Sequence, residues 1–271
     1  MADDIRKVVR QKYGDIAKTG TEGCGCGPSD CCGSPSPVAD QVAEYVGYTR
    51  EELDVLPEGA NLGLGCGNPL AHAAPKPGEV VLDLGAGAGM DAFLAAREVG
   101  PTGRVIGVDM TAEMLEKARA NAVRAGVQNV EFRLGEIEHL PVADASVDLI
   151  ISNCVINLSP EKDQVFREAF RVLKPGGRLV VSDLVLVRPL SDEVRRSVEA
   201  YVGCVAGAAL REDYLRAISG AGFQDIQVVE ERSYGDAALF GDAEWMREAA
   251  RSVVSAKIRA VKGAGSGKPG A

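Results

Sequence analysis

The sequence predicts an α/β protein built on a doubly wound, mostly parallel sheet, and three observations carry that prediction. From Gly78 onward, short apolar runs of strand length alternate with segments of helical periodicity. The first run, "VVLDLG", opens into a glycine-rich turn, "GAGAG", that leads into a helix. The second run, "RVIGVD", ends on an acidic residue, Asp109. Strand and helix in strict alternation imply parallel strands covered on both faces.

Residues 1 to about 20 predict an amphipathic helix. The stretch "GTEGCGCGPSDCCGSPSP" that follows is too rich in Gly, Ser, Pro and Cys to hold regular structure. "ADQVAEYVGY" and "TREELDVL" predict short helices, the second opened by Thr49 and Glu52 at the spacing of a capping box. Strand 80–85 then leads through the glycine turn into the helix "MDAFLAAREVG", which stops at Gly100. Strand 104–109 leads into a helix with Thr111 as N-cap and Gly126 as C-cap. Segments 129–135, 147–153 and 177–186 are three more strands. The helix "PEKDQVFREAFRVLKPGG" between the last two is stopped by Pro175-Gly176-Gly177. Beyond Arg188 come helices around "SDEVRRSVEAYVG" and "REDYLRAISGAG", a strand "FQDIQVVEE", and one final helix over 242–262. The predicted organisation is a helix and Cys-rich segment at 1–60, a core at 61–187, a small α/β extension at 188–262, and a flexible tail at 263–271.

With a net charge of −9 and a sequence pI of about 4.9, the chain lacks the cationic bias of a general phosphate-backbone binder. Its longest apolar runs are strand-sized, short of the roughly 20 residues that cross a bilayer. The start, "MADDIRKVVRQKYGDI", has no apolar signal core. The expectation is a cytoplasmic protein with neither nucleic acid nor membrane as partner. Seven cysteines, an odd number, do not suit a disulfide framework in a reducing compartment, which leaves metal binding, redox chemistry or simple burial.

Gly85, Gly87 and Gly89 follow a G-x-G-x-G rhythm at the end of the first strand. Glycines there let a ligand approach the backbone, and the following helix presents free N–H groups. Asp109, ending the next strand, is placed to accept hydrogen bonds from ribose hydroxyls. A dinucleotide would be one ligand for this design, although Met90 departs from the dinucleotide fingerprint. A nucleoside carrying an amino acid would be another.

"DLGAGAG", "GVDMT", "GEIEHLP" and "SVDLIISN", in this order, resemble the signature segments of the Rossmann-like class I S-adenosylmethionine-dependent methyltransferases. The resemblance covers about residues 78–187. It implies that Asp83 and the Gly85–Gly89 loop hold the methionine portion of S-adenosylmethionine and that Asp109 binds the ribose. It further implies that Met110 packs on the adenine and that Ile137 and Glu138 flank and hydrogen-bond it. Asn153, at the end of the fourth strand, is a further expected cofactor-binding residue.

A lone cysteine at a strand end is ordinarily a small buried hydrophobe. Cys154, however, directly follows Asn153 at a carboxyl strand end, where ligands bind in a doubly wound sheet. Cys66 in "LGLGCGNP" and Cys204 in "YVGCVAGAAL" lie in glycine-rich, irregular stretches. Soft thiolates select soft acceptors, and three thiols beside a methyl donor suit trivalent arsenic. "ANLGLGCGNP", "SNCVINLS" and "VGCVAGAAL", together with "VRQKYG" and "SAKIRAVK", resemble bacterial arsenite S-adenosylmethionine methyltransferases along nearly the whole chain. Ala206 stands where many members carry a second glycine.

That resemblance implies that Cys66, Cys154 and Cys204 are the As(III) ligands and that no structural metal is needed. It also implies a further redox thiol at Cys31 or Cys32, restored by a thiol reductant such as thioredoxin or glutathione. A zinc knuckle in "CGCGPSDCCG" is the competing reading of that segment. Two other functions stay open: methylation of a quinone-type small molecule, with structural thiols, and metalloid sequestration on a vestigial cofactor fold. His72 and His139 have no motif around them.

Overall fold

The structure, a computed structural model, describes residues 2–19, 37–233 and 244–264. Helices α1 (Ala2–Thr19), α2 (Pro37–Val46), α3 (Arg50–Asp54) and α4 (Leu70–Ala73) precede the sheet. Then β1 (Val80–Leu84), α5 (Met90–Val99), β2 (Arg104–Asp109), α6 (Ala112–Ala125), β3 (Val130–Leu134), β4 (Val147–Asn153), α7 (Lys162–Val172) and β5 (Leu173–Leu186) follow in order. The chain continues through α8 (Asp192–Arg196), α9 (Val198–Val202), α10 (Arg211–Gly220), β6 (Gln224–Ser233), α11 (Glu244–Ser252) and β7 (Val253–Val261).

One sheet of seven strands runs in the order β3-β2-β1-β4-β5-β7-β6. The first five strands pair in parallel, and β7 is antiparallel to both of its neighbours. From β1 the chain winds outward to β3, then returns to β4 on the other side of β1. This reversal opens a crevice beyond the carboxyl ends of β1 and β4, because the connections that leave those ends diverge. The alternating side chains of each strand feed two cores. Leu82, Ile150 and Leu179 meet Phe166, Ala169 and Val172 of α7 on one face. Val81, Leu149, Ile151 and Val180 meet Phe93 and Leu94 of α5 on the other.

Local signals set several ends. Thr49 and Glu52 form both bonds of the capping box, and Gly126 caps α6 in the left-handed conformation. Thr111 occupies the N-cap of α6, but its side chain makes no cap bond; its own N–H is taken by Asp109 Oδ1 at 2.8 Å. Helix α7 ends at Val172, ahead of Pro175-Gly176-Gly177, and β5 begins at Leu173 instead of 177. Leu173 pairs with Val147 before a register shift, and the proline and glycines lie in that irregular stretch.

The predicted single helix over 242–262 is corrected by the structure. Helix α11 stops at Ser252, and Val253–Val261 is the strand β7. The segment "VVSAKIRAV" is rich in β-branched residues, and its side chains are buried on both faces, so the period-two alternation of an exposed strand is erased. Lys257, 5% exposed there, runs its stem through the layer to reach Glu230 Oε1 at 2.6 Å.

Candidate active site

A pocket sits over the carboxyl ends of β1, β2 and β4 and is roofed in part by α1. Asp83, Gly85, Gly87, Asp109, Met110, Ile137, Glu138, Asn153 and Cys154, all singled out from sequence, line it. Gly89 does not. It holds φ +97° at the start of α5, and a Cβ there would lie 2.6 Å from Phe93 Cε2 and 3.0 Å from Phe132 Cζ. It therefore allows the helix to pack closely on Phe132 of β3. Gly85 and Gly87 also take left-handed backbone (φ +69° and +52°), and the Gly85 and Ala86 N–H groups donate to the Val108 carbonyl at the end of β2. Gly87 N–H donates to Asp109 Oδ2 at 2.9 Å.

Three carboxylates crowd the inner wall. Asp83 is 2% exposed, and its Oδ2 has no hydrogen-bond partner. Burial, then the neighbouring Asp91 and Asp109, hold its carboxyl well above the usual range. Asp91, in the first turn of α5, is pushed up to about 6 by burial. Its Oδ1 accepts from the Tyr48 hydroxyl at 2.6 Å and its Oδ2 from Asn153 Nδ2 at 3.0 Å. A buried carboxyl wall with an orphaned oxygen fits a cationic ligand group, whose charge would favour the ionised carboxylates, and the donor's α-ammonium is such a group. Glu138 is already engaged, by Ser159 Oγ at 2.6 Å and Arg6 at 3.2 Å, so it ties α1 to the body of the protein.

Cys66, Cys154 and Cys204 come together behind the pocket wall, all buried, in one apolar cluster with Val9, Leu158, Leu184 and Val205; of the three only Cys154 lines the pocket itself. Cys204 Sγ donates to the Cys154 carbonyl at 2.9 Å. Cys66 Sγ, Cys154 Sγ and a carboxylate oxygen of Asp183 lie within 4.8 Å of one another. Cys154 and Cys204 both hold left-handed backbone, with φ of 57° and 63°. For a residue with a Cβ that conformation costs of order 1–3 kcal/mol and clusters at functional sites. Burial pushes the Cys66 thiol up. The Cys204 contact lowers the Cys154 thiol, but the Cys66 contact and burial outweigh it and hold Cys154 well above the ordinary range; the Cys154 contact and burial do the same for Cys204. Cys31 and Cys32 lie outside the described residues.

Close approach places Cys66. A Cβ on Gly67 would fall 1.9 Å from Ser182 Oγ, so only glycine lets this loop lie against β5. Asn153 Oδ1 accepts the Cys66 N–H at 3.1 Å, and Ser255 Oγ of β7 donates to the Cys66 carbonyl at 2.7 Å. The Ser255 contact was hidden by reading its segment as helix. Other residues were missed as well. Asp183, pushed up to about 7 by burial, accepts from Asn157 Nδ2 at 2.8 Å and Tyr214 Oη at 3.0 Å. Its signal was an acid inside the apolar run "VVSDLVL". Asp91 had a weaker signal as an acid in a first helical turn, and Tyr48 had none. Lys162 Nζ is held by the Ser159 carbonyl at 2.9 Å, close enough for Asp183 and Cys204 to stabilise its charge although burial lowers its pKa.

Residues 75–235 match the family described as "Methyltransferase domain". An arsenite methyltransferase of Halobacterium salinarum is 46% identical over 96% of this chain and 67% of its own length. The chain belongs to the arsenite methyltransferase family. A second member, from Aquipseudomonas alcaligenes, is 46% identical over 70% of this chain and 58% of its own. The chain thus spans about two thirds of the first relative and little over half of the second. A crystal structure described as an arsenic(III) S-adenosylmethionine methyltransferase from Chlamydomonas reinhardtii superposes with a TM-score of 0.65. It is 36% identical and covers 87% of this chain and 76% of its own. Among the described residues no helix is long and apolar enough to cross a membrane.

Proposed function

We propose that this chain transfers methyl groups from S-adenosylmethionine to trivalent arsenic held on cysteine sulfur. The observation that carries the reading is the meeting of three buried thiols from distant parts of the chain in one cluster, with Cys154 opening from it onto the pocket. Methylation of a quinone-type acceptor would leave the convergence of the three thiols without a purpose.

The donor supplies an electrophilic methyl group on a sulfonium. Asp83 and Asp91 hold its ammonium, Asp109 accepts the ribose hydroxyls, and Met110 and Ile137 wall the adenine. Each thiol that takes up As(OH)3 forms one S–As bond, and its proton leaves with the displaced hydroxide as water. Three thiolates form a pyramid around As(III) and leave its lone pair unshared. Cys154 lines both the pocket and the thiol cluster, so arsenic held there faces the donor, and orientation is the main contribution of the protein. Displacement forms an As–C bond, breaks the S–CH3 bond, and leaves arsenic pentavalent. Return to As(III) takes two electrons, which two thiols supply by closing a disulfide. Cys31 or Cys32 with Cys66 would serve, and thioredoxin or glutathione would reopen the disulfide.

The test is to incubate purified protein with arsenite, S-adenosylmethionine and a thiol reductant, then separate the arsenic species. Methylated arsenic that disappears in Cys154→Ser and Cys204→Ser supports the reading. Unchanged turnover in both variants overturns it.

A further inference from the structure

The pocket and the thiol cluster share one side chain. Asn153 accepts the Cys66 N–H on its Oδ1, while its Nδ2 reaches three oxygens at once. These are Gly67 O at 2.7 Å, Tyr48 Oη at 2.9 Å and Asp91 Oδ2 at 3.0 Å. A side-chain amide has only two N–H hydrogens, so three acceptors compete for two donors. Tyr48 spends its own hydrogen on Asp91 Oδ1, so its oxygen is free to accept from the amide. One of the three contacts is always short of a hydrogen, and the Gly67 carbonyl of the Cys66 loop is one of the three acceptors that share that shortfall.

We infer that Asn153, together with Tyr48, is a positioning residue that makes occupation of the donor site set the stance of the Cys66 loop. The inference rests on the proposed placement of the donor's ammonium at Asp83 and Asp91. An ammonium brings its own hydrogens to Asp91 Oδ2. The Asn153 hydrogen no longer needed there passes to the Gly67 carbonyl, while Oδ1 keeps the Cys66 N–H. The loop is then held on both sides of Cys66, and the thiol is fixed for metalloid capture. The loop has no slack to escape into, because Gly65 and Gly67 lie hard against Asn153 and Ser182. By reciprocity, arsenic on Cys66 tightens donor binding by the same factor.

The effect should be specific to a ligand that carries the amino-acid end and to an arsenical that uses Cys66. One hydrogen bond gained corresponds to roughly a fivefold change in affinity. Arsenite binding to the wild-type chain is measured by equilibrium dialysis with arsenic detection, alone, with S-adenosylhomocysteine, and with 5′-methylthioadenosine. The first nucleoside keeps the ammonium and the second lacks it, and neither can turn over. The expected result is arsenite bound about fivefold tighter with S-adenosylhomocysteine and unchanged with 5′-methylthioadenosine. Methylarsenite, which two thiolates saturate, should show no change with either nucleoside. In Tyr48→Phe the competition ends, because two hydrogens then serve two acceptors, and the S-adenosylhomocysteine effect should vanish while arsenite still binds.

Arsenite affinity indifferent to S-adenosylhomocysteine in a wild-type chain that binds both ligands overturns the inference, as does an equal effect from 5′-methylthioadenosine. A wild-type chain that binds no arsenite, or no S-adenosylhomocysteine, overturns the functional reading instead. The wild-type arms need no variant to fold.

Discussion

Replacing Asp109 with Asn changes one atom and should damage two things at once. In the free protein both oxygens of Asp109 accept backbone hydrogens, from Gly87 at 2.9 Å and from Thr111 at 2.8 Å. An amide offers one oxygen and one NH2 group, so whichever way it turns, an N–H donor faces an N–H donor. One backbone bond at the pocket wall is lost and its donor left unsatisfied, a cost of about 1–3 kcal/mol. For a chain of this size that lowers the melting temperature by about 2–10 °C. Donor affinity suffers separately, because a ribose hydroxyl that met a carboxylate now meets an N–H. A hydrogen bond to a charged group contributes about 1.5–3 kcal/mol, so S-adenosylhomocysteine should bind roughly 10- to 150-fold more weakly. Calorimetric titration and a thermal melt of the ligand-free protein measure the two effects independently. Weakened binding without a lower melting temperature would refute the cost assigned to the Gly87 and Thr111 bonds. A lower melting temperature with undiminished affinity would refute the ribose role.

Three further outcomes are expected. Cys66→Ser should lose most of its turnover on arsenite and keep most of it on methylarsenite, measured as separate initial rates; equal loss on both would sink the division of labour among the thiols. Asp91 and Asp183 titrate in the folded chain near 6 and 7 against an ordinary 3.8, so each holds its proton more tightly folded than unfolded. Their contribution to stability is complete below about pH 4 and fades as pH rises through 6 and 7, so the ligand-free melting temperature should fall between pH 5 and 8. Asp183→Asn should flatten that decline, and an unaltered decline would count against burial of a protonated carboxyl there. Arg6→Gln removes the cation that joins α1 to Glu138 at 3.2 Å and Glu161 at 2.7 Å. Donor affinity should drop, read by the same titration, because the uncompensated Glu138 loosens α1 from the pocket, and an unaltered affinity would mean that α1 does not brace the pocket.

The sequence alone determined the elements whose causes are local. The strand runs of β1 to β5, the capping box at Thr49, the glycine stop at Gly126 and the glycine turn after β1 each depend on residues a few positions apart. Fold class and the expected face for ligands followed from those elements, since a strand–helix alternation that reverses direction has one crevice. The three thiols were legible only as candidates, because nothing local tells a ligand from a buried cysteine. Tertiary structure decided the rest. It made 253–261 a strand, since a partner on each side outweighs the helical pattern of a short apolar run. It brought Tyr48 to Asp91 and Asn153 to Cys66, contacts 43 and 87 residues apart in the chain. Above all it left Asp83 with a bare oxygen and forced Cys154 and Cys204 into left-handed backbone. Burial, strain and unmet hydrogen bonds belong to the packed state, and no window of sequence contains them.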